Sequence, residues 1–423
     1  MIALSSLKDD VLVVGGGPAG STAARHLALR GARVTVLDRY MFPRNKPCGG
    51  GISARVLTRF PYLDRSLPRI STHLVSRLHL EGPSGDSVVI DTDSPAALMI
   101  RRIEFDALLM SLAAEAGAHV VGDAEVVRVS EDADGVTVWT RNGRQFSARA
   151  LIAADGAHSV VARRLGLNSG WPATAVALDM MEETPRTELR DVDPSSLWVA
   201  YGFNPEGISP VKGNRAHEGY AYIFPKRDHV NIGVGYVLDH YRTHIDRSPY
   251  ELQRAVVDWL RARAIVEGDS NRANFTPFII PVGGPLPRPG RGRVLLAGDA
   301  AGFVNGFTAE GIYYAMVTGE LAATAILESG SDPSGMAERY RRACDREIGV
   351  ELRDSIRIQR FLFADRRRIS SLIAGARRVP ALTRLITDVA IGRRSYKSVR
   401  RHIFVRSPRL AAYFVWDCLR QRG

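Results

Sequence analysis

The sequence has few cysteines and no long apolar stretch. Its 423 residues include three cysteines, Cys48, Cys344 and Cys418, whose wide spacing allows neither a CxxC metal site nor a disulfide framework between sequence neighbours. No run approaches the roughly 18 charge-free apolar residues that a membrane-spanning helix needs. The first ten residues are too short and too polar for a signal peptide. We therefore expect a soluble protein of the reducing cytoplasm, at most bound to a membrane surface, with no metal site.

The positive charge is concentrated near the C-terminus. The formal net charge is +12, and between Arg366 and Gly423 there are 15 lysines and arginines against two aspartates. Basic clusters alternate there with apolar pieces, which is typical of a helix that lies on anionic lipid. A helical cap with an arginine-rich polar face is the alternative. Nucleic-acid binding is disfavoured, because no zinc spacing, helix-turn-helix or RNA-binding aromatic motif accompanies the charge.

The hydrophobic pattern divides the chain into parts. The apolar run 10–14, the helical spacing of 18–30 and the strand pattern 33–37 predict a βαβ unit, the start of a doubly wound α/β domain of Rossmann type. Strand residues and glycine then prevail over 175–285, which predicts an inserted, largely antiparallel substrate domain. We assign 1–174 and 286–336 to the first domain, which is discontinuous, and 337–423 to a basic helical region.

The first glycine cluster has the pattern of a dinucleotide site. Gly15, Gly17 and Gly20 form GxGxxG between a predicted strand and helix, where a pyrophosphate can lie on the helix N-terminus. Asp38 ends the second strand and can accept hydrogen bonds from both hydroxyls of an adenosine ribose. A purely structural glycine turn would not need these flanking elements.

Three further segments favour FAD over NAD, because one extended cofactor could contact all of them. They are Arg102 with Phe105 and Asp106, the AlaAspGlyAlaHisSer segment that contains Asp155, and the GlyAspAlaAla segment that contains Asp299. Together they resemble the FAD-binding segments of the para-hydroxybenzoate-hydroxylase fold.

This resemblance implies a role for each matched position. Asp299 would bind the ribityl chain, and the backbone near Gly311 and Ile312 would meet the isoalloxazine ring. A helix that begins at Gly311 would direct its positive end at the flavin. The remaining cofactor positions that the resemblance implies are Ala19, Arg39, Val126 and Asp155.

Two motifs resemble the geranylgeranyl reductase family of that fold. The first is LysProCysGlyGlyGly at 46–51, which implies cofactor contacts by Cys48, Gly49 and Gly51. The second is an aromatic strand followed by GlyxGly; its positions are Tyr220, Tyr222, Phe224, Gly233 and Gly235. Alternation places the three aromatic side chains on one strand face, a wall suited to an apolar substrate, although such stripes also occur as domain core.

The resemblance implies an FAD-dependent oxidoreductase that reduces carbon–carbon double bonds of an isoprenoid chain. Such a reduction needs a proton as well as hydride, and the candidate donors are Tyr220, Tyr222, Cys48 or a water. The chain departs from the family at Tyr222, where the family has tryptophan. It also has Gly306 for proline and Ala309 for glycine in the loop before Gly311, and we expect the lost proline to loosen that loop.

Three other functions are compatible with the pattern. A flavin monooxygenase or hydroxylase shares the fold. A halogenase is disfavoured, because the aromatic strand replaces its Trp-x-Trp-x-Ile-Pro segment. A flavin-binding subunit without activity would explain the altered loop. No second GxGxxG occurs, so the electron donor would be visiting NADPH or a reduced ferredoxin-like carrier protein.

Overall fold

The structure is a computed structural model that describes residues 9–204, 216–330 and 332–390. Within these residues the chain forms strands and helices, with several strands in succession before β16 and helices alone after β20. The strands are β1 (Asp9–Val14), β2 (Val34–Leu37), β3 (Gly51–Ser53), β4 (Thr72–Val75), β5 (Arg77–Glu81), β6 (Ser87–Asp91), β7 (Ala97–Ile100), β8 (His119–Val121), β9 (Val126–Glu131), β10 (Val136–Thr140), β11 (Gln145–Ala153), β12 (Ala177–Pro185), β13 (Leu189–Asp191), β14 (Ser196–Tyr201), β15 (Gly219–Pro225), β16 (His229–Val237), β17 (Val266–Gly268), β18 (Phe275–Ile280), β19 (Gly290–Arg291) and β20 (Val294–Leu296). The α-helices are α1 (Pro18–Ala28), α2 (Arg55–Arg59), α3 (Tyr62–Ser66), α4 (Arg102–Glu115), α5 (Val160–Arg164), α6 (Leu238–His244), α7 (Pro249–Ala262), α8 (Ile312–Ser329), α9 (Met336–Cys344), α10 (Val350–Phe363), α11 (Arg366–Arg378) and α12 (Pro380–Ala390).

The first sheet contains the predicted βαβ unit. Its parallel strands run in the order β20-β11-β1-β2-β8, β19 extends one edge, and β9 and β10 form a meander with the first half of β11. Helices α1, α4 and α8 pack together beside it. The side chains of Leu12 and Val13 in β1 are fully buried, as expected for a strand covered on both faces. The α/β fold class is therefore as predicted.

The second sheet has seven strands in the order β18-β12-β16-β15-β14-β5-β6, antiparallel except for the parallel pair β14 and β5. One face packs on α7, which begins with Pro249 and a capping box between Ser248 and Glu251. The other face is lined by aromatic side chains. Residues 77–91, which the domain prediction assigned to the first domain, thus supply two strands of the second sheet.

Smaller elements complete the fold. Strands β3, β7 and β4 form a three-stranded sheet whose first strand begins at Gly51, the last residue of the glycine-rich segment 46–51, and β13 pairs with β17. The helices α9 to α12 follow α8, with a π-helical turn at Asp345–Gly349 between α9 and α10. Helix α11 packs Ile369 and Ile373 against Ile90 of β6. The predicted basic region from 391 to 423 lies outside the described residues. No helix among the described residues is both long and apolar enough to cross a membrane.

Candidate active site

The predicted FAD segments meet at one edge of the parallel sheet. Gly15 directly follows β1 and Asp38 directly follows β2, while Asp155 is the second residue after β11 and Gly298 the second residue after β20. The carboxyl ends of parallel strands lie at the same edge, and this edge is where open α/β sheets bind ligands. The backbone N–H of Gly15 donates to the carbonyl of Leu37 at 2.8 Å, which joins the first two segments directly.

The three glycines of the GxGxxG motif serve different purposes. Gly15 has φ of +97°, and a β-carbon there would collide with the carbonyl of Ala154; one at Gly20 would collide with the carbonyl of Gly15. Gly17 is different, because the nearest atom to a β-carbon there would be a guanidinium nitrogen of Arg44 at 3.7 Å. Gly17 also precedes α1, which no side chain caps. The space before this helix therefore suits a pyrophosphate.

The carboxylate of Asp38 is buried at the end of β2. It accepts hydrogen bonds from the backbone N–H of Gly16 at 2.7 Å and of Tyr40 at 2.9 Å. The other positions that the resemblance implied have contrasting surroundings: Arg39 is exposed, with its guanidinium 4.8 Å from the ring centre of Tyr40, whereas Ala19 and Val126 are buried. Their contacts with the cofactor stay predictions.

One carboxylate oxygen of Asp155 is hydrogen-bonded to the backbone, and the other has no partner in the described structure. Its Oδ2 accepts from the N–H of Val160 at 2.8 Å and of Val161 at 3.2 Å, so it fixes the start of α5. Its Oδ1 is buried without a partner in the described structure, and burial raises the pKa of Asp155. A buried acceptor at this edge of the sheet fits a polar ligand group beside it.

Arg102 is held by Asp106 in a two-pronged ion pair. Both bonds measure 2.7 Å, and Asp106 also accepts from Arg44 at 3.0 Å. The ArgxxPheAsp spacing is thus an i,i+4 pair on α4. Asp106 links Arg102 to Arg44, the residue that approaches Gly17. Sequence reasoning missed Arg44, because nothing local distinguishes it from other arginines.

The glycine-rich segment 46–51 packs against the aromatic strand. A β-carbon at Gly49 would lie 2.7 Å from the ring of Phe224, and one at Gly51 would lie 3.2 Å from it. The amide of Asn231 donates to the carbonyl of Cys48 at 3.3 Å. Glycine is needed here because side chains would push the segment away from the ring.

A buried ion pair lies under the same segment. Lys226 Nζ pairs with Glu183, and Arg101 donates to Glu183 at 2.8 Å. Burial alone would raise the pKa of Glu183, but Lys226 and Arg101 lower it. A β-carbon at Gly50 would lie 2.9 Å from Lys226 Nζ. The ion pair of Lys226 and Glu183 therefore packs against the backbone of the glycine-rich segment.

Lys46 belongs to the site although the sequence analysis gave it no role. Burial and the nearby Arg102 lower the pKa of Lys46, while Asp299 and Cys48 oppose that shift. Its ammonium lies 5.4 Å from the ring centre of Phe278, on the second sheet. Lys46 thus lies between Asp299 and the aromatic face, a position from which a flavin could be contacted.

The loop before α8 is fixed by bonds that sequence reasoning also missed. Glu310 accepts from the backbone N–H of Ser53 at 2.8 Å, and Arg55 pairs with Glu351 at 2.9 Å. Tyr314 donates to Glu351 at 2.6 Å. Burial raises the pKa of Glu310, and Arg55 opposes that shift. Because these partners are far apart in the chain, no local sequence pattern predicts the bonds between them.

The same loop presents the start of α8 to the site. A β-carbon at Gly311 would lie 3.4 Å from Asp299 Oδ1, and no side chain caps the helix, whose first residue is Ile312. Ala309, two residues earlier, has φ of +55°. This left-handed conformation favours glycine, which is the family residue there.

The expectation that Gly306 loosens the loop stays a prediction, but the structure shows contacts that restrain this residue. The N–H of Gly306 donates to Ser355 Oγ at 2.8 Å, a bond that proline cannot make. A β-carbon at Gly306 would lie 2.8 Å from Ile356 and 2.9 Å from the carbonyl of Val282. The ring of Phe307 stacks on Tyr201 at 5.2 Å between centres. Close packing and a hydrogen bond replace the stiffness of a proline.

The predicted aromatic wall exists and faces the glycine-rich segment. The rings of Tyr220 and Tyr222 are 6.2 Å apart, and those of Tyr222 and Phe224 are 4.5 Å apart. Tyr220 donates to the carbonyl of Thr308 at 2.7 Å, which joins the wall to the loop before α8. Val199 on the neighbouring strand β14 and Met181 on β12 complete an apolar surface around these rings.

A buried carboxyl group lies beside the wall. Asp179 Oδ2 accepts from the hydroxyl of Tyr222 at 3.1 Å, and burial raises the pKa of Asp179 to about 7 although Tyr222 opposes the shift. A β-carbon at Gly233 would collide with the Tyr222 hydroxyl, and one at Gly235 would lie 3.5 Å from Asp179 Oδ1. The GlyxGly motif thus makes room for this pair. An aspartate between Leu178 and Met180 in β12 was the available but overlooked signal.

The wall and the loop enclose a narrow cavity. Its lining includes Asp179, Tyr220, Tyr222, Gly306 and Ala309. The cavity therefore joins the predicted substrate residues to the loop that precedes α8. Cys48 lies on the glycine-rich segment that the wall faces, and its thiol accepts from the backbone N–H of Gly50 at 3.3 Å.

The edge of the parallel sheet offers an open glycine turn, a buried hydrogen-bond acceptor and an uncapped helix, and an apolar wall lies next to it. These features together are those of an FAD-dependent oxidoreductase. The chain matches the family model described as FAD binding domain over residues 8–344. It is 32% identical over 356 residues to menaquinone reductase of Mycobacterium tuberculosis, covering 79% of this chain and 81% of the relative. It is 30% identical over 374 residues to digeranylgeranylglycerophospholipid reductase 1 of Methanothermobacter thermautotrophicus, covering 84% and 86%.

A solved structure shows the same fold. The geranylgeranyl bacteriochlorophyll reductase-like protein from Thermoplasma acidophilum superposes with a TM-score of 0.75 at 22% identity, over 93% of this chain and 98% of that one. The chain belongs to the FAD binding domain family and, within it, to the geranylgeranyl reductase family. The predictions of the fold class, of FAD and of this family are confirmed.

Proposed function

We propose that the protein reduces carbon–carbon double bonds in the isoprenoid chain of a lipid. The observation that carries this proposal is the position of the aromatic wall, which faces the segment 46–51 and the loop before α8 rather than solvent. An apolar chain that lies along the wall would therefore lie beside the flavin. The relatives reported above are named as reductases of menaquinone and of digeranylgeranylglycerophospholipid.

The wall residues would bind the chain and keep water away. Each apolar group that leaves water contributes about 25 cal/mol per Å² to binding. Tyr220, Tyr222 and Phe224 would contact the substrate directly, and Gly233 and Gly235 would give the rings their space. When bound, reduced FAD supplies the hydride. The residues of this chain would orient the double bond and hold the proton.

An anaerobic reaction with three lipids would test this function. The protein is loaded with FAD, reduced with dithionite, and mixed with an unsaturated menaquinone, a digeranylgeranyl phospholipid or geranylgeranyl diphosphate. We expect the mass of at least one lipid to rise by two hydrogens without oxygen. A product that gains an oxygen atom, formed only in air, would instead identify a hydroxylase. Failure to transfer hydride to any of these lipids would support a flavin-binding subunit.

Two kinds of electron donor fit the sequence. We propose that NADPH visits the site or that a reduced ferredoxin-like protein delivers the electrons, because the sequence has a single GxGxxG motif. Mixing the FAD-loaded protein with NADPH without oxygen should bleach the oxidised flavin absorbance within seconds if NADPH is the donor. No bleaching with NADPH, but bleaching with reduced ferredoxin, would identify the carrier.

Contact with a membrane surface in the cytoplasm would suit a lipid substrate. Helix α11 packs its apolar face inward and exposes Arg366, Arg367, Arg377 and Arg378. We propose that these arginines attract anionic head groups, so the contact by α11 would be electrostatic. Co-sedimentation with anionic vesicles should exceed that with neutral vesicles and should fall on adding salt. Equal binding to both would contradict the proposal.

A further inference from the structure

We propose that Tyr222 and Asp179 together are the proton source of the reduction, with Tyr222 delivering the proton and Asp179 replacing it. This inference rests on the proposed function, because it names the groups that complete the reaction begun by hydride. It adds Asp179, which none of the sequence motifs contains. It also gives the departure from tryptophan at position 222 a chemical consequence, since a tyrosine has a hydroxyl that can transfer a proton.

The geometry carries the inference. Tyr222 lies on β15 and Asp179 on β12, and both strands pair with β16, where Gly233 is opposite Tyr222 and Gly235 is opposite Asp179. The two glycines leave the hydroxyl and the carboxyl group in contact across β16. Both side chains line the cavity that the loop before α8 also borders. A substrate in that cavity would therefore meet the hydroxyl.

The surroundings keep a proton on the pair. The titratable groups that face it are Tyr220 on the wall, Cys48 on the glycine-rich segment, and Glu218 and Tyr236 on the cavity lining. No lysine or arginine lines this cavity in the described part of the chain. Without a cation, a buried carboxyl group favours its neutral form, which can donate a proton. Asp179 is only 6% exposed.

Each proton that is transferred has a donor and an acceptor, and no tyrosinate has to persist on the protein. As the substrate accepts hydride at one carbon, the O–H bond of Tyr222 breaks and a C–H bond forms at the other carbon. For this step the neutral carboxyl group of Asp179 donates its O–H to the Tyr222 oxygen, the reverse of the bond described above, so that its proton restores the Tyr222 hydroxyl. Asp179 is left as carboxylate and later takes a proton from water. Burial raises the pKa of Tyr222 well above its usual value, so a free tyrosinate would be costly. Transfer from Asp179 avoids it.

The test compares two variants with a matched control. Asp179→Asn and Tyr222→Phe each remove one member of the pair and keep the shape. Glu182→Gln is the control, because Glu182 lies on the same strand, is fully buried, and has its pKa raised by burial to about 7, yet it bonds to Ser270 and Asn271 on the other face. All variants should bind FAD and be reduced by dithionite as the wild type is.

Two measurements decide the outcome. In anaerobic single-turnover experiments, each pair variant should reduce the lipid at least about 100-fold more slowly, since a positioned proton donor contributes at least that factor. The wild-type rate should fall as the pH rises through about 7, where Asp179 loses its proton, and the Asp179→Asn rate should lose this dependence. Infrared spectra without substrate should show a protonated-carboxyl band that Asp179→Asn abolishes, Tyr222→Phe shifts and Glu182→Gln leaves in place.

The results that would overturn the inference are distinct from those that would overturn the function. If the wild type reduces a lipid and both pair variants keep its rate and its pH dependence, another donor acts and only the inference is wrong. If Asp179→Asn fails to fold, Tyr222→Phe and its infrared band still decide. If the wild type reduces no lipid, the proposed function itself fails.

Discussion

Replacing Ala309 with glycine tests whether the loop beside the flavin site carries backbone strain. Ala309 has φ of +55°, in the left-handed region that an L-residue adopts at a cost of about 1–2 kcal/mol. Glycine removes that cost, but its greater freedom in the unfolded chain takes back about 0.4–1 kcal/mol. We therefore expect Ala309→Gly to raise the free energy of unfolding by about 0.5–1 kcal/mol.

The measurement is urea unfolding of the FAD-loaded protein, followed by tryptophan fluorescence. Two control variants bracket the result. Ala264→Gly, at an exposed residue with φ of +54°, should stabilise the protein by a similar amount. Ala114→Gly, at an exposed position in the last turn of α4, should destabilise it by up to about 1 kcal/mol. If Ala309→Gly lowers the stability as Ala114→Gly does, the strain argument is refuted.

Three other changes test the site. Lys226→Met should lower the free energy of unfolding by about 3 kcal/mol, because it leaves Glu183 buried with one partner fewer; a change below about 1 kcal/mol, as expected for the exposed pair of Arg190, would contradict this. Between pH 4 and 7, stability should fall as the pH rises, by up to about 1.4 kcal/mol per unit from Asp179 alone, because burial raises its folded-state pKa to about 7 and the unfolded chain has already lost that proton. Asp179→Asn should make the slope shallower by that amount, and an unchanged slope would refute the assignment. Gly306→Pro should destabilise the protein by more than about 2 kcal/mol, since it removes the bond to Ser355 and crowds Ile356; stability equal to that of the wild type would show that the loop has room for proline.

The parts of the fold that the sequence predicted are those with local causes. The apolar run that became β1, the glycine turn and α1 lie within about thirty residues, and each is determined by its own spacing. The second sheet was predicted only in part. Its strand β14 pairs in parallel with β5, so residues 196–200 lie beside residues 77–81. Such a pairing between distant segments leaves no periodic trace in either segment.

The same distinction applies to the site. The aromatic positions on β15 were predicted, because alternation along one strand places them on one face. Asp179 was not, because its importance depends on the register between three strands, which brings it within 3.1 Å of Tyr222. Arg55 and Glu310 were missed for the same reason. Their ion pair, together with Glu351, joins three segments that are far apart in the chain.

The loop from Asn305 to Gly311 shows how a chain can depart from its family's sequence and keep the geometry. Asn305 Oδ1 accepts from the N–H of Phe307 and of Thr308, each at 3.0 Å, which forms the turn that a proline would otherwise have stiffened. Two side chains outside this turn bond to its backbone. Tyr220, on the second sheet, donates to the carbonyl of Thr308, and Ser355, on α10, accepts from the N–H of Gly306. A loop held from two sides needs less stiffness of its own, because its neighbours supply the constraint. The sequence departures therefore alter how the loop is fixed, while α8 still begins beside Asp299.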